Sequence, residues 1–340
     1  QAAQPAARPI MKLPRTIILS RPDALGDAVV TLPMAGLLKR IAPDTRIIAL
    51  VKQYTLPVWQ HCAHVDVIIT LEELQASDPV GQLRAFKADA LVHVFPYRDV
   101  ASWGKEAGIP QRIGTSHRWW HWITCNERVS FSRRKSDLHE AQLNIKLLAP
   151  FGIDMPGTDA LSTLSGLRRP EVAAAVSGML RTDRKRVILH PLLGSGVGWG
   201  LLNHAALIRA LDPQQWQIIV TGTAAEAERY RNDLPLDLPH VVDVGGRFSL
   251  SELMALIGSC DALVAASTGP LHIAAALGIR AIGLYSMRRP IPPGRWAPLG
   301  PDTHALVHDT KCAACASGKP CECITRIEPR RVLSLLEELR

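Results

Sequence analysis

The segment STGPLHIAAALG (residues 267–278) combines features of a strand end, a small polar turn and a helix. It follows the apolar run 262–266 and ends in a glycine, which suits a helix terminus. The unpaired N–H groups of the first helical turn, near Thr268 and Gly269, can bind a phosphate. Pro270 suits the first helical position. The motif therefore predicts either an anion site or an ordinary capped turn between strand and helix.

A carboxylate occupies a comparable place in the first half of the chain. The apolar run 15–20 predicts a buried parallel strand, and RPDALGDAVVTLPM (residues 21–34) follows it. Gly26 and Asp27 therefore come at the carboxyl end of a strand, which is where ligands bind in open α/β sheets. Asp27 can face such a ligand or simply cap the helix that begins there.

A second glycine-rich loop follows the predicted strand 186–190. Its sequence is PLLGSGVGWG (residues 191–200), and a helix is predicted near residue 203. The backbone N–H groups of Gly194, Ser195 and Gly196 can cradle a phosphate. Glycines of a mobile loop would give the same pattern, so both interpretations remain.

The segment HRWWHW (residues 117–122) places three tryptophans beside a cluster of cations. Aromatic faces can stack on sugar rings, and guanidinium groups can bind phosphates. Such a surface would bind an anionic glycan. The alternative is a loop whose rings are buried in the core and whose cations are solvated.

Four of the seven cysteines lie within a dozen residues, at Cys312, Cys315, Cys321 and Cys323. An odd number of cysteines in a chain that we expect to be cytoplasmic argues against a disulfide framework. Four thiolates can bind zinc or iron tetrahedrally, and the first pair has the spacing of a zinc knuckle. Free thiols or an incidental disulfide are the alternatives to this structural metal site.

The composition predicts two α/β domains. The 340 residues are 47% hydrophobic and 21% charged, and strands alternate with helices throughout, which predicts parallel sheets covered by helices. We expect a disordered or vector-derived segment at 1–14, an N-terminal Rossmann-like domain at 15–165, and a C-terminal one at 166–340. No apolar run is long enough to span a membrane. The net charge of +8 favours an anionic partner, but no nucleic-acid recognition motif accompanies it.

Three ordered motifs carry a resemblance to a known family. RPDALGDAVVTLP, HEAQLNIKLLAPFGI and STGPLHIAAALG resemble, in this order, segments of the ADP-heptose:lipopolysaccharide heptosyltransferases of glycosyltransferase family nine. The likeness runs from about residue 15 to the C-terminus and includes the cysteine cluster. It implies a GT-B fold, in which two Rossmann-like domains face a central cleft, and inverting transfer of a heptose without a required metal or other cofactor.

The resemblance also implies roles for individual residues. Asp27 matches the proposed base, which deprotonates the acceptor hydroxyl. The N-terminal domain would bind the acceptor, lipopolysaccharide inner core, at the inner face of the cytoplasmic membrane; our candidates there are Arg21, Arg118, Trp119 and Trp120. The C-terminal domain would bind ADP-heptose. Its candidates are the glycine loop, Glu226 for the ribose, Phe248 for the adenine, and Thr268, Gly269, Pro270 and His272 for the diphosphate. His272 could instead only cap or pack.

Two residues of the predicted donor site differ from the family pattern. Val197 replaces a lysine that would meet the diphosphate, and Ser267 replaces an aspartate. A missing cation would weaken stabilisation of the leaving group. We expect Arg288 to substitute for it, with Arg289 and Arg295 as further candidates. Two rival functions follow: heptosyl transfer to a protein acceptor, and binding of a sugar nucleotide or anionic glycan without catalysis.

Overall fold

A computed structural model describes residues 13–193 and 198–339. Within these residues, twelve strands form two parallel sheets of six. The first sheet contains β1 (Thr16–Arg21), β2 (Arg46–Val51), β3 (Val67–Thr70), β4 (Ala90–His93), β5 (Gln111–Thr115) and β6 (Glu127–Val129). The second contains β7 (Lys185–His190), β8 (Trp216–Val220), β9 (Val241–Asp243), β10 (Ala262–Ala266), β11 (Arg280–Tyr285) and β12 (Thr303–Val307).

Helices connect the strands of both sheets. In the first half they are α1 (Leu25–Val29), α2 (Leu32–Ile41), α3 (Leu56–Gln60), α4 (Leu71–Ala76), α5 (Pro79–Ala85), α6 (Arg98–Glu106), α7 (His121–Thr124), α8 (Glu140–Lys146) and α9 (Thr158–Ser162). In the second half they are α10 (Ala174–Ser177), α11 (Leu201–Ala210), α12 (Ala224–Tyr230), α13 (Leu250–Ile257), α14 (Gly269–Ala276), α15 (Pro293–Trp296), α16 (Ala313–Ala316) and α17 (Pro329–Glu337).

The two sheets have the same doubly wound topology. The strand order is β3-β2-β1-β4-β5-β6 in the first and β12-β11-β10-β7-β8-β9 in the second. The winding direction reverses between β1 and β4, and again between β7 and β10. Such switch points open a crevice at the carboxyl ends of the strands. The fold class predicted from the sequence is confirmed.

Two edge strands and two short helical segments are weakly marked in the sequence. β6 is mostly exposed and β12 is mostly half-buried, so neither has the fully buried apolar run that marks a central strand. Residues 170–180 contain only the single turn α10, and residues 136–150 contain α8 and a short 3-10 turn.

The expected domain limits remain predictions. Leu13, within the segment expected to be disordered, is buried in the core of the first half, whereas residues 1–12 lie outside the described ranges. Near the expected boundary, the Ala63 N–H donates to Gly166 O at 2.9 Å, and Cys62 forms an isolated bridge with Leu167. The chain therefore still packs on the first half just beyond residue 165.

The two halves meet where α1 packs against α14. A Cβ on Gly269 would lie 2.5 Å from Leu25 Cδ2, and one on Gly26 would lie 3.2 Å from His272 Cδ2. Only glycine permits this approach without a shift of the neighbouring side chain. The glycines thus bring the carboxyl edges of both sheets onto one cleft. None of the helices that the structure describes is long and apolar enough to cross a bilayer.

Candidate active site

The cleft contains a cavity of about 1040 Å³ that both halves line. Asp27 and Tyr54 come from the first half. The second half contributes six of the residues predicted to bind the donor: Glu226, Phe248, Thr268, Gly269, Pro270 and His272. The structure therefore brings together residues that are separated by more than 200 positions in the sequence, and we refer to this space as the donor-side cavity.

The N-terminus of α14 opens into the donor-side cavity. Thr268 is the N-cap residue, its side chain makes no capping hydrogen bond, and its buried Oγ1 has no hydrogen-bond partner among the described residues. The first turn of α14 contains no acidic residue. The backbone N–H groups of Gly269 and Leu271 therefore remain available for an anion, and the helix dipole favours negative charge there.

His272 lies one turn into α14 and faces the same cavity. Its side chain is buried, and both ring nitrogens lack a hydrogen-bond partner among the described residues. Burial lowers the pKa of His272 to about 3, so the imidazole is neutral at pH 7. A neutral ring can donate one N–H to a phosphate oxygen but brings no positive charge. Both ring nitrogens of the buried His93 and His240 are also unpaired, but of these three histidines only His272 lines this cavity.

Glu226 lies in the first turn of α12 and lines the same cavity. Thr223 and Glu226 form a capping box: Glu226 Oε2 accepts hydrogen bonds from the Thr223 N–H at 2.8 Å and from Thr223 Oγ1 at 3.0 Å. Both bonds use the same oxygen, so Oε1 can accept a hydroxyl of a ligand. His190, which the sequence did not indicate, also lines this side of the cavity and hydrogen-bonds Thr221 Oγ1 at 3.0 Å.

The described lining of the donor-side cavity includes no lysine or arginine. Gly194, Ser195, Gly196 and Val197 lie outside the described residues, and none of them carries a cation. Arg288 is half-buried on the loop after β11 and is not among the lining residues. The guanidinium groups of Arg289 and Arg295 are bound to Asp137 and Glu140. Among the described lining residues, only helix termini and neutral donors can therefore favour an anion, while Asp27 and Glu226 contribute carboxylates.

A second cavity of about 410 Å³ adjoins the first. We call it the acceptor-side cavity. Asp27 and Trp296 line both cavities, so they form the boundary between them. Of the predicted acceptor residues, Arg21 and Arg118 line this cavity, whereas Trp119 and Trp120 are not among its lining residues.

Asp27 does not cap α1. Ala24 is the N-cap residue and makes no side-chain capping bond, while the carboxylate of Asp27 forms an ion pair with the Arg21 guanidinium. The Asp27 backbone carbonyl accepts a hydrogen bond from Thr31 Oγ1 at 2.7 Å. Burial raises the pKa of Asp27 above its ordinary value, and the Arg21 charge only partly opposes this shift. A partly desolvated carboxylate of this kind is a stronger base than one in water.

Glu140 connects Asp27 to the second half of the chain. Its buried carboxylate pairs with Arg133, lies 2.8 Å from Arg295 Nη2 and 3.7 Å from Arg21 Nη2. Arg295 belongs to α15 of the second half. Sequence reasoning missed Glu140, although the motif HEAQLN contained a signal: an acidic residue at the start of a helix most of whose residues are buried.

The four clustered cysteines converge in the structure. The Sγ atoms of Cys312, Cys315, Cys321 and Cys323 all lie within 4.8 Å of one another. This arrangement suits a tetrahedral thiolate site for zinc or iron. It confirms that the cysteines form one group, and it places them between β12 and α17.

The segment after the cysteine cluster binds the described residues that follow the glycine loop. Trp199 Nε1 donates a hydrogen bond to Ile327 O at 2.7 Å, and Asn203 Nδ2 donates one to Thr325 O at 2.7 Å. Trp199 is fully buried. The cysteine cluster is therefore coupled, through residues 323–327, to the chain that leads out of the loop 194–197.

Two doubly wound parallel sheets that face a cleft, with an open helix N-terminus on one side and a carboxylate on the other, are the arrangement of the GT-B fold. The family model of glycosyltransferase family 9 (heptosyltransferase) matches residues 98–324. Because this match spans more than half of the chain, the protein belongs to that family and is a heptosyltransferase-like glycosyltransferase.

Individual relatives agree with this assignment. Lipopolysaccharide heptosyltransferase 3 of Escherichia coli is 25% identical over 285 residues, which cover 76% of this chain and 80% of that protein. The structure of E. coli ADP-heptose lps heptosyltransferase II matches with a TM-score of 0.73 at 20% identity, covering 95% of this chain and 98% of that one. The dodecameric iron-containing heptosyltransferase TibC, from enterotoxigenic E. coli, matches with a TM-score of 0.54 at 13% identity, covering 96% and 76%. These structural likenesses concern the fold.

Proposed function

We propose that the protein transfers a heptose from ADP-heptose to the inner core of lipopolysaccharide, with Asp27 as the base. The observation that carries this proposal is the position of Asp27, which lines both cavities. A donor in one cavity and an acceptor hydroxyl in the other would meet at its carboxylate. The relatives named above include a lipopolysaccharide heptosyltransferase and an ADP-heptose enzyme, which supports these substrates.

The donor diphosphate would bind at the N-terminus of α14. The N–H groups of Gly269 and Leu271 and the neutral His272 ring would donate hydrogen bonds to its oxygens. The Glu226 carboxylate would accept a ribose hydroxyl, and Phe248 would pack on the adenine. We retain Arg288 and the loop residues Gly194, Ser195 and Gly196 as proposed donor contacts.

The transfer step would be a single displacement. Asp27 takes the proton of an acceptor hydroxyl, and the oxygen attacks the anomeric carbon from the face opposite the diphosphate. The bond between that carbon and the phosphate oxygen breaks, ADP leaves with the electron pair, and the configuration inverts. The raised pKa of Asp27 suits it to hold the proton that it accepts. The chain's hydrogen-bond donors at α14 stabilise the charge on ADP.

The decisive experiment compares Asp27→Asn with Asp137→Asn in an ADP-release assay that contains donor and acceptor. Loss of a general base costs about 10²–10⁴-fold in rate. Asp137 lines neither cavity and its side chain is 89% exposed, so its replacement is the matched control. Equal turnover of the Asp27→Asn variant and the wild type would exclude Asp27 as the base.

Donor choice is tested separately by thermal shift with ADP, ADP-heptose, UDP, GDP and CMP. A ligand at about 100 times its dissociation constant stabilises the fold by about 2.7 kcal/mol. Selective stabilisation by ADP and ADP-heptose is the expected result. Stabilisation by another nucleotide would replace the donor that we propose.

A binding protein without catalysis is the second candidate function. The absence of lysine and arginine from the described lining of the donor-side cavity favours it, because a leaving diphosphate normally meets a cation. Such a protein would be stabilised by the sugar nucleotide but would release no ADP when acceptor is added. Transfer to a protein acceptor remains a variant of the first proposal.

We further propose that the cysteine cluster holds one structural zinc or iron ion. The convergence of four Sγ atoms supports this, and an iron-containing relative exists within the same fold. The ion would fix residues 323–327 and, through them, the chain beside the glycine loop. Elemental analysis of freshly purified protein should find about one equivalent of metal that Cys321→Ser removes. A metal content near zero in the wild type would end this proposal.

We place the reaction at the cytoplasmic face of the inner membrane, where a lipid-anchored acceptor would be presented. No transmembrane helix is required for this, since the acceptor itself carries the lipid anchor. Contact of the protein with the membrane would then be peripheral.

A further inference from the structure

Exposed apolar side chains concentrate at one place on the first half. Trp119, Trp122 and Ile123 are each 60% exposed. Among the described residues, eight large hydrophobic side chains are exposed, and these three fall within five consecutive positions. Isolated exposed hydrophobic residues are normal on a soluble protein, but a contiguous group indicates a binding surface.

The backbone that carries this group is held firmly. The Thr115 N–H donates to Nδ1 of the buried His121 at 3.0 Å, and Trp122 Nε1 donates to Ser116 O at 3.0 Å. Thr124 Oγ1 donates to Trp120 O at 2.7 Å. The short helix α7 is therefore anchored on its inner side, while its residues Trp122 and Ile123, and Trp119 just before the helix, are exposed to solvent.

Arginines surround the exposed rings. The Arg98 guanidinium carbon lies 4.9 Å from the Trp119 ring centroid, and that of Arg128 lies 4.6 Å from the Trp122 centroid. Arg118 lies 5.5 Å from the half-buried Trp120. Residues 116–136 contain five lysines and arginines but only one acidic residue. The surface is therefore apolar at its centre and positively charged at its rim.

We propose that this surface, formed by Trp119, Trp122 and Ile123 with Arg98, Arg118 and Arg128, docks on a bilayer that contains anionic phospholipids. Tryptophan favours the interface between hydrocarbon and headgroups, and arginines attract anionic headgroup phosphates. An anchored apolar group with a cationic rim fits both parts of that environment.

The position of Arg118 connects docking to the active site. Arg118 belongs to the docking surface and also lines the acceptor-side cavity. A lipid-linked acceptor can therefore stay anchored in the bilayer while its sugar enters the cavity. Only this link rests on the proposed function; attraction to the bilayer follows from the surface itself. Trp119 then contacts the membrane, whereas the sequence suggested that it binds the acceptor.

The test is co-sedimentation with vesicles of phosphatidylethanolamine and phosphatidylglycerol, in parallel with vesicles of phosphatidylcholine alone. Neither contains a glycolipid or a donor, so binding cannot come from the active site. The wild type should bind the anionic vesicles, less so at high salt. Trp119→Ser with Trp122→Ser should weaken binding by about tenfold or more, since both interfacial anchors are lost. Leu202→Ser is the matched control, because Leu202 is 87% exposed on the second half.

A second variant, Arg98→Gln with Arg128→Gln, tests the positively charged rim of the surface. It also keeps the proposal testable if the double tryptophan-to-serine variant does not fold. It should weaken binding to anionic vesicles and remove most of the salt dependence. Absence of wild-type binding, or equal binding by the two surface variants and the wild type, would overturn the proposal. So would a concentration-dependent dimer in light scattering that the serine variant abolishes, because the surface would then bind a second copy of the chain. Success or failure of the ADP-release assay leaves these outcomes unchanged.

Discussion

Neutralisation of Glu140 should destabilise the fold strongly, because this carboxylate is buried among three guanidinium groups. Its side chain is 2% exposed and interacts with Arg21, Arg133 and Arg295. Glu140→Gln keeps the shape of the side chain but removes its charge. Breaking a buried ion pair costs about 3–5 kcal/mol. With about 2–4 °C per kcal/mol for a domain of this size, Tm should fall by about 6–20 °C.

The same substitution should change the pH dependence of turnover. The negative charge of Glu140 helps to raise the pKa of Asp27. Without it, the ionised form of Asp27 is favoured, and the pKa of Asp27 falls. A base must be deprotonated to act, so activity is lost as pH falls through this pKa. The acidic limb of the kcat/KM profile should therefore move to lower pH in Glu140→Gln.

Asp137→Asn is the matched control. Asp137 pairs with Arg289 across the same two halves of the chain, but its side chain is 89% exposed. An exposed pair contributes about 0–1 kcal/mol, so Tm should change by less than about 4 °C and the pH profile should stay in place. Thermal denaturation and initial rates over a pH series measure both effects. An equal loss of Tm in the two variants, or an unmoved acidic limb in Glu140→Gln, would refute the reasoning.

Three further substitutions probe the cleft. Gly269→Ala would place a methyl group 2.5 Å from Leu25 Cδ2; the resulting strain of about 1–3 kcal/mol should lower Tm by about 2–12 °C in thermal denaturation, and an unchanged Tm would contradict the close packing of α1 on α14. Val197→Lys should instead strengthen ADP binding by about tenfold, since a charged hydrogen bond contributes about 1.5–3 kcal/mol; no gain would mean that another cation already meets the diphosphate. Asp27→Asn should keep or raise Tm at pH 7. Because the pKa of Asp27 is raised in the folded state, it is the protonated form of Asp27 that stabilises the fold. This contribution is present below the unfolded pKa and is lost as pH rises through the folded pKa, so it is absent at pH 7. A clear loss of Tm in this variant would contradict that sign.

The central positions of the site could be predicted because they follow buried strands. Asp27 comes after β1 and Thr268 after β10, and both strands are apolar runs that end in a glycine-containing turn. Parallel strands place their carboxyl ends at one edge, so local sequence was sufficient to locate both residues at a cleft. The family resemblance then suggested their roles.

The charge network could not be predicted, because it depends on pairs that are distant in the chain. Arg295 lies 155 positions from Glu140, and no local pattern marks them as partners. The sequence instead suggested that Arg295 replaces the missing lysine of the glycine loop. In the structure Arg295 pairs with Glu140 instead. A cation near a motif in the sequence therefore need not face a ligand.

Closure of the cleft and preparation of the base are physically linked in this protein. His139 Nε2 hydrogen-bonds Ala297 O at 2.9 Å, and the neighbouring Glu140 pairs with Arg295, so α8 of the first half is bound to α15 of the second. Asp27 lines a cavity that both halves form, so separation of the halves would expose its carboxylate to water. Burial is the largest cause of the raised pKa of Asp27. Separation would therefore lower the pKa of Asp27, whereas contact of the two halves keeps it raised. The carboxylate is thus best prepared as a base when α14 is also in place to hold the donor.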